Sequence, residues 1–188
     1  MKRLLAIPKS RATAAAATLA LVAVATVSSL PARAATSAAT VNVSAAVNSQ
    51  CNVQSSTLTM GFGTVDVLAT GSATSNPALQ VQCNKGASVS VTANNGSNAS
   101  GAQKRMKHAS SADVLAYSIL EPTGATFSAC PATIAAGTEL GASQLDVSSL
   151  WTASGGPRNI TLCGRLETPQ ADASPGNYSD TVVVTVTY

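Results

Sequence analysis

The nine residues Asp180–Tyr188, DTVVVTVTY, constrain the fold more than any other stretch. Four valines and three threonines stand almost unbroken. β-branched side chains crowd the preceding turn of a helix but pack well on a pleated surface, so the run reads as a strand. Its alternate residues Val182, Val184, Val186 and Tyr188 share one face, and no charge follows Asp180. The strand closes the chain, so no later strand is expected to cover its edge. Natural proteins usually blunt such an edge, because a bare row of N–H and C=O groups recruits other chains.

Other segments show the same period of two. In TVNVSAAV (Thr40–Val47), Val41, Val43, Ala45 and Val47 alternate with Asn42 and Ser44. LTMGFGTVDV (Leu58–Val67) reads as a strand broken by Gly61 and Gly63. Pro77–Asn84 and Ala87–Ala93 alternate on either side of Asn84-Lys85-Gly86 and read as a hairpin. Further strands are expected over Asp113–Glu121 and Arg158–Glu167, with a loop-rich region at Pro122–Gly156 that holds the single Trp151. After the leader no long stretch has helical periodicity. Short strands separated by turn signals predict an all-β, antiparallel sandwich.

The first 34 residues stand apart. Lys2, Arg3, Lys9 and Arg11 precede an Ala/Leu/Val-rich run, and Ala32-Arg33-Ala34 has the small-x-small form of a signal-peptidase site. Residues 1–34 are therefore expected to be a cleaved export signal. An uncleaved anchor is the rival, but the run is rich in Ala and Thr and only weakly apolar. The leader removes five of the 11 basic residues and none of the 8 acidic ones, which leaves 6 against 8, a net charge of −2. The overall +3 belongs to the export signal, and nothing points to a nucleic-acid or anionic-membrane partner. Cys51, Cys83, Cys130 and Cys163 all lie beyond the leader. An even count in an exported chain implies two disulfides, with three pairings open. Nearest-neighbour pairing would close two loops of about thirty residues, each contributing ~3–4 kcal/mol. A zinc site needs closer ligand pairs.

Reactive chemistry is sparse. The one histidine, His108, has no G-x-S-x-G nucleophile elbow to serve and reads as a solvated loop residue. Lys104, Arg105, Lys107 and His108 form the only basic cluster, read as a charged loop flank rather than an anion or polysaccharide contact. No Lys-Ser/Thr follows the Gly61/Gly63 pair, and the carboxylates are isolated. Neither an enzyme nor a cofactor is implied.

PGNYSDTVVVTVTY resembles the closing motif of the spore coat protein U family, the subunits of archaic chaperone–usher pili. LTMGFG after the first cysteine, VQCNKG around the second, Arg105-Met106, LAYSIL and GRLETPQ match in order, so the resemblance covers about Cys51–Tyr188. It implies an incomplete immunoglobulin-like sandwich that lacks its last strand. The gap is filled first by a periplasmic chaperone, at an outer-membrane usher, and then by the N-terminal strand of the next subunit. Residues 35–50 would be that donor extension, with Val41, Val43, Ala45 and Val47 entering successive pockets, and 51–188 the pilin domain. Cys51 and Cys83 match the family's linked pair, whereas Cys130 and Cys163 lie outside its pattern. A mature chain of this length is expected to carry no separate receptor-binding domain. The rival reading is a non-polymerising secreted coat or matrix protein, with carbohydrate as a candidate ligand, in which residues 40–47 pair within their own chain.

Overall fold

Alternating sequence becomes eleven strands over residues 35–188, the part of the chain that the computed structural model describes. The expected export signal, residues 1–34, lies outside the described residues. The strands are β1 (Cys51–Val53), β2 (Gly71–Ser75), β3 (Ala78–Cys83), β4 (Ser90–Ala93), β5 (Lys104–His108) and β6 (Val114–Leu120). There follow β7 (Leu145–Asp146), β8 (Gly156–Thr161), β9 (Cys163–Thr168), β10 (Tyr178–Ser179) and β11 (Val184–Thr187). Every pairing is antiparallel. The sheet orders are β1-β3-β8, β10-β5-β6-β9-β2 and β11-β4-β7. The all-β antiparallel sandwich expected from the sequence is the fold observed.

Period two explains what each strand buries. In β3, Leu79, Val81 and Cys83 point inward while Ala78, Gln80 and Gln82 face out. They share one core with Ile160 of their own sheet and Val91, Tyr117, Ile119 and Leu166 of the other two, joined by Trp151. Each fully buried Leu, Val or Ile side chain contributes about 1.5–3 kcal/mol. Trp151 organises the Pro122–Gly156 region: its indole N–H donates to the Gly156 carbonyl (2.8 Å) at the end of a one-turn 3-10 segment, Ser148–Trp151. Two disulfides staple the sandwich, Cys51–Cys83 between β1 and β3, and Cys130–Cys163 between that same region and β9.

Four expectations are corrected. β3 and β4 do not form a hairpin. The run after Gly86 is captured by a distant segment instead: Gly86 N–H donates to the Trp151 carbonyl (2.9 Å), Val89 N–H to Ser148 Oγ (2.8 Å) and Val147 N–H to the Val89 carbonyl (2.9 Å). Arg158–Glu167 is two strands, because at Leu162 the chain leaves β3, donating its N–H to Pro77 (2.9 Å), and joins β6 and β2. Asp180–Tyr188 is a strand only over Val184–Thr187, where β11 pairs with β4; β10, which pairs with β5, ends before the run begins. The basic cluster is strand β5 rather than a loop flank. Its Lys104 is buried, with its ammonium on Glu139 (2.7 Å) and the Leu140 carbonyl (3.2 Å).

Candidate functional site

Between the segment after β1 and the segment joining β10 to β11 the sandwich stays open, in a cleft of about 660 Å³. Its floor is core: Leu79, Ile119 and Leu162. One wall carries Leu58, Met60 and Phe62, the other Tyr178, Val182 and Val184, with Met106 and Tyr117 between. Alternation builds both walls. Leu58, Met60 and Phe62 are half-buried and Thr59 and Gly61 exposed, just as Val182 and Val184 are half-buried and Val183 exposed.

The backbones of both walls lack partners on the cleft side. Among the described residues, Ser55–Asp66 makes no backbone–backbone hydrogen bond. Its burial alternates from Leu58 to Phe62, yet it belongs to no strand. On the opposite wall, the Val183 carbonyl accepts from Asn94 N–H (3.0 Å), and its own N–H donates to Asn94 Oδ1 (2.9 Å). In an antiparallel pair successive residues turn their polar groups to opposite sides. Those of Val182, Val184 and Val186 therefore point away from β4, toward the free edge.

Asp180 fixes one end of the cleft. Its Oδ1 accepts from the N–H groups of Ser97 (3.0 Å) and Asn98 (3.1 Å) and from Asn98 Nδ2 (3.0 Å), while Oδ2 accepts from the Tyr117 hydroxyl (2.7 Å). Gly96 makes room at φ +87°, since a Cβ there would collide with the Asp180 carboxylate. Burial pushes the Tyr117 hydroxyl far above the ordinary tyrosine range, and the hydrogen bond to Asp180 and its charge add to the shift.

His108 is not the solvated loop residue expected. It ends β5, where its Nδ1 accepts from the N–H groups of Ser110 (3.1 Å) and Ser111 (3.0 Å). That assigns the ring proton to Nε2, which faces the Pro175 carbonyl at 3.2 Å. Its ring meets Tyr178 edge-on at 5.0 Å, so the histidine holds the turn that presents Tyr178 to the cleft. Its hydrogen-bond partners are backbone groups, not a serine hydroxyl.

The other expected site residues divide. Val182 and Val184 line the cleft; Val186 lies further along β11, and Tyr188 borders a smaller recess with Ser88, Ser90 and Asp146. Val41, Val43 and Val47 are 80%, 89% and 84% exposed, and residues 40–47 form no strand. Reading LTMGFG as a broken strand missed the wall formed by Leu58, Met60 and Phe62. Their alternation was visible, but the two glycines masked it.

Residues 37–185 match the family model described as the Spore Coat Protein U domain. The chain belongs to the spore coat protein U domain family. No curated protein matches this spore coat protein U domain chain. Among solved structures it is similar to the CsuC–CsuE chaperone–tip adhesion subunit pre-assembly complex from the archaic chaperone–usher Csu pili of Acinetobacter baumannii. The two are 18% identical with a TM-score of 0.46, over 76% of this chain and 40% of that one.

Proposed function

We propose that this chain is a structural subunit of a chaperone–usher pilus, joined to its neighbours by donor-strand exchange. The observation that carries the reading is an apolar cleft whose two walls have unpaired backbone facing it. A strand laid in the cleft would hydrogen-bond on both sides and bury every second side chain. Strand addition of this kind is an established mode in chaperone–pilin complexes.

The segment Thr40–Val47 of another copy suits the cleft. Its apolar side chains recur about 6.5–7 Å apart on one face. Its valines stand in solvent in the single chain. Burying three valines and an alanine contributes about 4–8 kcal/mol, before backbone hydrogen bonds. In transit the cleft would take a strand from a periplasmic chaperone, and subunits would be handed over at an outer-membrane usher. Residues 1–34 direct export in this reading, 35–50 are the donor extension, 51–188 the acceptor domain, and the fibre is displayed at the cell surface.

Deletion of residues 35–50, behind an intact leader, tests the reading. The truncated subunit is expected to fold, form both disulfides and bind chaperone, yet add nothing beyond itself to a fibre. Fibres built from the truncated chain alone would show that the donor lies elsewhere. Unheated detergent gels of the full chain should give a ladder, whereas a single band would favour a non-polymerising coat or matrix protein.

A further inference from the structure

The wall Leu58–Phe62 has no backbone hydrogen bond among the described residues, so side-chain seats must hold it in place. Phe62 rests against Tyr117, with ring centroids 6.0 Å apart. Met60 rests on Gly164, a buried position on β9 of the large sheet, in register with Ser75 of the edge strand β2 on one side and Ile119 of β6 on the other. Gly164 shares its face with the buried Leu166 two residues on, so any side chain there would point inward. A Cβ at this position would collide with Met60 Sδ, stand 2.9 Å from Met60 Cε and 2.6 Å from the Ser75 carbonyl oxygen. Glycine inside a strand weakens it and marks close approach by another group. Here that group is the flexible thioether of Met60.

We propose that Gly164 is a positioning residue for strand exchange: its missing side chain is the notch that seats Met60 and sets the width of the cleft. Gly164 does not line the cleft and acts only through Met60. The inference rests on the donor-strand reading. A side chain at 164 would drive Met60 off the sheet and into the space that an incoming strand must occupy.

A double-mutant cycle on the full exported chain tests this, with the unheated gel ladder as readout and thiol labelling to confirm both disulfides. The four proteins are wild type, Gly164→Ala, Met60→Ala and the double variant. The loss of polymer caused by Gly164→Ala is expected to be about tenfold greater with Met60 present than once Met60 is alanine. The contact with the Ser75 carbonyl is common to both backgrounds and cancels. Equal losses in the two backgrounds overturn the inference and leave the donor-strand reading standing. A single band from wild type overturns both. If Gly164→Ala fails to accumulate folded, Met60→Ala alone decides, because it empties the notch without a clash: a shortened ladder supports the proposal and an unchanged one overturns it.

Discussion

Tyr117 and Asp180 illustrate how single residues tie the cleft to the rest of the sandwich. Asp180 sits where the chain passes from β10 to β11 and gathers two backbone N–H groups, an amide and a phenol. The phenol is held protonated in the fold, whereas an unfolded tyrosine ionises near pH 10.0. The folded state thus retains a proton that the unfolded state gives up. Its contribution is complete below pH 10 and declines as pH rises above it. Tyr117→Phe is therefore expected to flatten the alkaline limb of stability against pH, measured by urea unfolding from pH 8 to 11. Tyr178 shifts in the same direction, so a residual slope remains. At neutral pH the variant should lose about 1.5–3 kcal/mol, the usual contribution of a hydrogen bond to a charged partner. The aspartate, tyrosine and loop that form this clasp are 63 and 82 residues apart in sequence, and no local pattern foretells their meeting.

Elements were legible where their pattern is local. β3 and β6 fall inside the segments read as strands, since alternation of apolar and polar residues is a property of neighbours along the chain. Sheet membership is not. The supposed hairpin failed because the segment around Trp151 and Ser148 competes for β4, and the run Arg158–Glu167 divided because the chain changes sheets at Leu162. The closing run is a strand only from Val184, after the chain has crossed from the sheet of β10 to that of β4. Those crossings leave β11 with one paired edge and one open edge. Hydrogen exchange reads that asymmetry directly. In the unassembled subunit the amides of Val184 and Val186 should exchange far faster than those of Thr185 and Thr187, which face β4. In the polymer all four should be protected. Strong protection of Val184 and Val186 before assembly would mean that the edge is already covered.

For the whole molecule the question is where the fold ends. The described domain closes its core with Trp151 and two disulfides but leaves a cleft of about 660 Å³ along two unpaired backbones. A charge at the centre of the proposed donor segment should therefore affect assembly and not folding. Val43→Asp is expected to abolish the ladder while the melting temperature of the single subunit stays within about 2 °C, since exposed substitutions rarely change stability by more than about 0.5 kcal/mol. A ladder of normal length would remove Val43 from the donor face. The sequence by itself determined the all-β class, the strand-forming runs that hold β3 and β6, the even set of cysteines and the alternation of buried and exposed residues from Val182 to Thr187. Each of these depends on side-chain chemistry and on spacing along the chain. Only the tertiary structure decided which strands share a sheet, that Lys104 is buried against Glu139, and that Leu58, Met60 and Phe62 face Val182 and Val184 across an open cleft. These depend on contacts between residues far apart in sequence, where several partners satisfy the same local pattern and only the packing of one shared core selects among them.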